Sequence, residues 1–161
     1  MIKKNTIIQA QNKWSSSIIK ISSLRDNYDL CLQYTDDFLN ELYAFDKGIV
    51  LFKPTKAKEE QFRFTKDKAL SYFIAGKNKI CDEDSGFAIH PWKKITFNNS
   101  SYIIEDNIAF VMGNYYFTDL NDIALKVEYT FGYKLIDNKM KIFLHHSSLP
   151  FNNKLAQKIM T

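Results

Sequence analysis

A chain of 161 residues that is 45% hydrophobic and 15% aromatic has the apolar mass for one domain, 1–161, with its own core, which excludes a linker or a disordered tail. Its 22 Lys and Arg against 18 Asp and Glu leave a net charge of +4 spread along the chain, and without a basic stripe nucleic acid is not an expected partner. Cys31 and Cys81 have no CxxC spacing, so neither a disulfide framework nor a zinc ribbon is expected; a reducing compartment fits, and Cys31 reads as core.

The opening MIKKNTIIQAQNKW has no apolar run of signal-peptide length, and no later stretch approaches the roughly 20 apolar residues of a membrane helix. The expectation is a cytoplasmic protein with no membrane partner. Ile7, Ala10, Trp14, Ile18 and Ile21 recur at spacings of three and four and predict a helix over about 5–20. The same spacing in Tyr28, Cys31, Thr35, Phe38, Leu42 and Phe45 predicts a second helix, the longest in the chain, stopped by Lys47 and Gly48.

GIVLF reads as a short buried strand closed by Pro54, which puts Thr55 at a strand exit. The charged stretch KPTKAKEEQFRFTKDK mixes both signs and reads as a solvated loop and helix face. Thr65 is the expected N-cap of a short helix that ends at Gly76, with Ala69, Tyr72 and Phe73 on one face and Tyr72 pointing inward.

From Trp92 the pattern turns to strands: WKKITFNN, SYIIED, IAFVMGNYYFTD, ALKVEYTFGYKL and KMKIFLHHSS, with turns expected at Asn98-Asn99 and Asp137-Asn138. Leu125, Val127, Tyr129, Phe131 and Tyr133 form the inward set of one half-buried strand. IAFVMGNYYF is apolar on both faces, and its outer face is expected to meet another subunit or a covering element rather than water; a homodimer is the expectation. Helices followed by a strand meander predict an α+β fold with the helices in the concave side of a curved antiparallel sheet.

His90, His145 and His146 are just enough imidazoles for a catalytic zinc, but neighbours on a strand point to opposite faces, so no metal site is expected. Period two groups Lys141, Phe143, His145 and Ser147 on one face and Ile142, Leu144, His146 and Ser148 on the other. Taken alone, an i, i+2 His-Ser pair is no more than a strand end whose polar groups are satisfied by turn backbone.

The ordered segments GIVLFKPTKA, QFRFT, ALSYFIAG, EDSGFAIHPW, MGNYYFTD, KVEYTFGY and LHHSSLPF supply a wider context. Together they resemble the iota-class carbonic anhydrases, a group also similar to the association domain of calcium/calmodulin-dependent protein kinase II. That resemblance implies the cone-shaped nuclear transport factor 2-like (SnoaL-like) fold. It also implies reversible hydration of carbon dioxide to bicarbonate without a bound metal or other cofactor. The family's pocket residues fall on Thr55, Tyr72, His145 and Ser147, with His145 as base or proton shuttle and the three hydroxyls orienting water and bicarbonate. His145 suits that task if it titrates near an imidazole's ordinary 6.5.

Lys53 and Arg63 could attract bicarbonate but read more simply as surface charge, and Glu128 as an ion-pair partner. His146 and Ser148 read as a structural or interface pair. Two other functions fit the same fold: a non-enzymatic oligomerisation or ligand-binding module, and a SnoaL-like enzyme for a larger apolar substrate. Phosphoribosyl-AMP cyclohydrolase chemistry is excluded, because two isolated cysteines cannot build its zinc site.

Overall fold

A computed structural model describes residues 1–151. Helix α1 (Lys4–Ser23) buries Ile7, Trp14, Ile18 and Ile21, the stripe that the spacing predicts, and α2 (Tyr28–Leu42) buries Cys31, Thr35, Phe38, Leu39 and Leu42. Each large apolar side chain so buried contributes about 1.5–3 kcal/mol. The longest helix is α1 with 20 residues, not α2 with 15.

Helix α2 stops at Leu42 because Tyr43 turns extended, at φ -108° and ψ 151°. The amide of Ala44 then donates to the carbonyl of Ile142 at 2.9 Å, drawing the chain away from the helix axis. Phe45–Lys47 is a separate 3-10 turn, and it is this turn that Gly48 closes, at φ 133°.

Strand β1 (Leu51–Lys53) lies parallel to the last strand and ends at Pro54 as expected. Helix α3 (Lys66–Ile74) is capped by Thr65, whose hydroxyl accepts from the Lys68 amide, and it stops where Ala75 and Gly76 take positive φ. Strands β2 (Trp92–Glu105), β3 (Ile108–Asp119), β4 (Ala124–Ile136) and β5 (Lys139–Ser148) complete a sheet in the order β1-β5-β4-β3-β2. The sheet curves without closing on itself, and α1 and α2 fill its concave side, so the α+β expectation is met.

Asn98-Asn99 is not a turn. Strand β2 runs through it, with a register shift between Asn99 and Ser101. The side chains explain the shift: Gln11 on α1 exchanges two hydrogen bonds with Asn99, at 2.7 and 2.8 Å, and the Tyr129 hydroxyl donates to the same amide oxygen. An asparagine satisfied by a helix and a neighbouring strand needs no turn. Gly113, opposite this bulge, has no room for a side chain, because a Cβ there would lie 2.1 Å from the Asn98 carbonyl oxygen. At the far end, Asp137 and Asn138 both take positive φ in the expected tight turn.

A second bulge lies between Gly132 and Tyr133, opposite Phe143. It breaks the strict alternation expected along β5: Ile142 is inside at 2% exposure, while Phe143 packs at 5.7 Å on Phe110 of the outer face. Alternation resumes at Leu144. His145 and Ser147 therefore face the core, at 2% and 1% exposure, and His146 faces out. Glu128, also outward, accepts from the Ser148 hydroxyl at 2.9 Å instead of forming the expected ion pair.

Arg63 departs furthest from expectation. It is fully buried, not a surface charge, with both terminal nitrogens at 2.8 Å from the Asp84 carboxylate. The backbone beside it continues the sheet edge, since the Arg63 amide donates to the Phe52 carbonyl at 2.7 Å. Neighbouring Glu83 accepts the amides of Lys58 and Glu60 at 2.8 Å and that of Glu59 at 3.0 Å, which pins the loop after Thr55.

These bonds, the one from Glu59 foremost, hold the Glu83 carboxyl down to about 2 from its ordinary 4.5. A depressed carboxyl stabilises the fold fully above its ordinary value, and the contribution drains as pH falls towards about 2. Glu83→Gln should therefore be less stable than the parent at neutral pH, with the gap closing through that acid window in urea titrations. A gap independent of pH would show that the charge is not what holds the loop.

Candidate active site

His145 is enclosed by aromatic rings. Phe131 and Phe52 stack on its two faces at 4.1 and 4.9 Å between centroids, and Trp14 meets it edge-on at 5.8 Å. Phenyl faces attract a cation, by about 0.5–2 kcal/mol each. Loss of hydration is larger: burial first, and the neighbouring His146 second, push the imidazole down to about 3. His145 is neutral at neutral pH, not poised near 6.5.

Both ring nitrogens are engaged. The Trp14 indole N–H, which can only donate, reaches the Tyr43 oxygen at 3.0 Å, and Tyr43 lies 2.9 Å from His145 Nδ1. The Tyr43 hydroxyl hydrogen therefore points at Nδ1, which places the imidazole hydrogen on Nε2, facing the Tyr115 oxygen at 3.2 Å. Tyr115 in turn bonds Ser147 Oγ, and Ser147 lies 2.7 Å from Thr55 Oγ1. A continuous chain of exchangeable hydrogens thus runs from Trp14 through Tyr43, His145, Tyr115 and Ser147 to Thr55.

Thr55 and Tyr72 bring a second wall. Thr55 follows Pro54 directly off β1, so the strand exit seen in the sequence carries its hydroxyl to Ser147. Tyr72 is 5% exposed on the inner face of α3, and its oxygen accepts from the Lys56 amide at 3.3 Å. Burial raises both the Tyr72 and the Tyr115 phenols, so both stay protonated as donors. Lys53 is half-buried and donates to the Ser147 carbonyl at 3.2 Å, which makes it a strut of this wall.

All four residues singled out in the sequence, Thr55, Tyr72, His145 and Ser147, line one cavity of about 10 Å³, together with Trp14 and Tyr115. That is room for about one water-sized molecule. Two larger pockets, about 560 Å³ each, lie elsewhere: one on the outer face of the sheet around His146, the other around His90 and Trp92. Among the described residues no three His, Cys, Asp or Glu side chains gather in a way that could hold a metal ion, and no helix is long and apolar enough to cross a membrane.

The residues that sequence reasoning missed are Tyr43 and Tyr115, whereas Trp14 lies in the apolar stripe that the spacing predicts for α1. Tyr115 was within reach, since it alternates with Val111 and Phe117 on β3 and so shares their inward face. Tyr43 lies just past a helix end, where periodicity carries no signal.

A sequence model of the metal-independent carbonic anhydrase family matches residues 5–149. The chain belongs to that family. A metal-independent carbonic anhydrase from Nostoc sp. (strain PCC 7120) is 34% identical over 154 residues, 93% of this chain and 75% of the relative. The crystal structure of a cyanobacterial iota-carbonic anhydrase complexed with bicarbonate superposes with a TM-score of 0.90 at 32% identity, covering 94% of each chain. An NTF2-like protein of Shewanella oneidensis, at 15% identity and a TM-score of 0.55 over 91% of this chain and 99% of its own, shares the fold alone. The enzyme class and the fold expected from the seven sequence segments are both met.

Proposed function

We propose that the chain interconverts carbon dioxide and bicarbonate, without a metal, in the small cavity closed by Thr55, Tyr72, Tyr115, His145 and Ser147. The observation that carries this reading is the hydrogen-bonded chain that ends at a water-sized cavity, in a member of this family.

Hydration needs an acceptor for the proton that water loses as it attacks, and donors for the charge that develops on oxygen. Among the groups lining the cavity only the imidazole is basic enough to accept. Protonating a group held at about 3 costs on the order of 5 kcal/mol at neutral pH, at about 1.4 kcal/mol per unit. That is far less than releasing free hydroxide, whose parent water has a pKa of about 15.7. His145 therefore serves as a transient acceptor at Nε2, loaded through Ser147 and Tyr115 in concert with attack once the imidazole hydrogen sits on Nδ1, donating to the Tyr43 oxygen, and the Tyr43 hydroxyl hydrogen has turned off the ring.

The two imidazole tautomers set the direction of the chain. With hydrogen on Nε2, every hydroxyl donates towards the cavity and holds bicarbonate. With hydrogen on Nδ1, Nε2 accepts from Tyr115 and the chain draws a proton inward. Tyr72 stands outside this relay as a donor to the anion, so Tyr72→Phe should raise the KM for bicarbonate about tenfold, the worth of one hydrogen bond, while the proton relay still works. A larger fall in kcat than in affinity would place Tyr72 in the relay instead.

The deciding experiment is a stopped-flow pH-indicator assay of carbon dioxide hydration with and without a chelator. Acceleration that survives chelation supports the reading, and no acceleration at all would favour a non-enzymatic module.

We also infer a homodimer through the outer face of the sheet, where Ile103 and Met112 are 61% and 59% exposed beside Phe110 and Phe143. Light scattering of the parent and of Met112→Lys tests it. Two free buried cysteines suit a reducing compartment such as the cytoplasm.

A further inference from the structure

Carbon dioxide and bicarbonate are larger than the single water that a cavity of about 10 Å³ admits. A wall must therefore yield for either to enter. Most of that wall is fixed: Trp14, Phe52, Phe73, Tyr115 and His145 sit on α1, α3 and the sheet strands, and each is at most 2% exposed.

Phe87 differs from these, and also from Pro54 and Thr55, which lie in the loop that Glu83 pins. Phe87 lies on the single 3-10 turn Phe87–Ile89 and borders three spaces at once. These are the inner cavity, a small space of about 40 Å³ beside Tyr72 and Lys56, and the open pocket of about 560 Å³. Among the described residues no other side chain is shared by all three. Its ring stacks on Tyr72 at 5.7 Å and an interplanar angle of 13°, which closes the passage between them.

The turn that holds Phe87 is built to present it. Gly86 takes φ +84° and has no room for a Cβ, which would lie 2.5 Å from the Ile89 side chain. The Trp92 indole N–H donates to the Phe87 carbonyl at 2.8 Å, anchoring the backbone while the ring keeps its side-chain torsions. The outer pocket carries Lys56 and His90 on its wall. His90 already faces Asp119 at 3.5 Å, so among the described residues of this wall Lys56 is the cation left to draw an anion inward.

We propose that Phe87 is the gate of the site: its ring swings off Tyr72 to let carbon dioxide and bicarbonate pass between the inner cavity and the pocket bearing Lys56. The proposal rests on the carbonic anhydrase reading for the identity of what passes, but not for the existence of the passage.

Two measurements separate these. In a Trp92→His background, which keeps a ring N–H for the Phe87 carbonyl, Trp14, on the inner wall, is the sole tryptophan. Phe87→Ala should raise acrylamide quenching of its fluorescence several-fold, whereas Phe38→Ala, an equal deletion in the core away from this passage, should not. Phe87→Leu replaces Phe87→Ala if the latter does not fold. Equal quenching in the Phe87 and Phe38 variants overturns the gate whatever the protein's activity.

In the otherwise wild-type chain, Phe87→Trp should lower kcat/KM for carbon dioxide hydration about tenfold by narrowing the passage, while Phe87→Ala should not lower it. Full kcat/KM in Phe87→Trp means that substrate takes another path and also overturns the proposal. If the parent shows no hydration, the carbonic anhydrase reading fails while the quenching result still decides the gate.

Discussion

Replacing His145 with glutamine is expected to lower the catalysed rate of carbon dioxide hydration by about 10²–10⁴-fold, the usual worth of a positioned general base. Glutamine keeps a polar group between Tyr43 and Tyr115 but offers no lone pair basic enough to take a proton, so the loss should fall on kcat. Retention of more than a tenth of the parental rate, in a variant with parental near-ultraviolet dichroism, would remove His145 from the proton path.

The pH dependence distinguishes this role from an ordinary histidine base. An imidazole near 6.5 would give an inflection close to neutrality. One held at about 3 gives none there, and the hydration limb should stay flat with respect to His145 until strongly acid pH.

Stability carries the same signature. The folded value is depressed below the unfolded one, so between about 6.5 and 3 the unfolded chain binds a proton that the folded chain refuses, and stability falls as pH falls through that window. The full difference is on the order of 5 kcal/mol. Urea titrations from neutral pH downward should show the parent losing stability more steeply than His145→Gln. Parallel curves would mean that the imidazole is solvated and that its enclosure by Phe52 and Phe131 is wrong.

The legible part of this molecule is what periodicity governs. The α1 stripe, the inward set of β4 and the opposite faces of His145 and His146 all follow from side chains that alternate or recur on a regular backbone. What escaped depends on side chains that act against the local pattern. Asn99 looked like a turn residue because its partners, Gln11 and Tyr129, are 88 and 30 residues away. The β5 bulge at Phe143 was invisible because only its neighbour strand reveals it. The four site residues were brought together by resemblance to a family, while the chain that joins three of them, His145, Ser147 and Thr55, by way of Tyr115 needs three-dimensional contacts. The value near 3 for His145 has the same origin, since burial is a property of the assembled rings.

Arg63 is the clearest such case, and Asp84→Ala should expose it. The guanidinium has five N–H donors, and all five have acceptors: two on Asp84, one each on the carbonyls of Glu60 and Lys68, and one on Glu83 at 3.4 Å. Asp84 also accepts from the Ser71 hydroxyl at 2.6 Å. Removing the carboxylate strands a fully buried cation and two donors, a change that typically costs about 3–5 kcal/mol. Urea unfolding should show that loss with an unchanged slope, and the melting point should drop by roughly 10 °C. The double variant Arg63→Met/Asp84→Leu, which removes both charges, should recover much of it, because the pair's net worth is small compared with the cost of leaving one partner alone. Since Arg63 also bonds the backbone of Phe52, the single variant should loosen the loop that presents Thr55 and weaken catalysis beyond what the stability loss alone explains. A loss below about 1 kcal/mol would show that Arg63 escapes to solvent at the level of a surface ion pair, and the hold on the loop that presents Thr55 would then belong to Glu83.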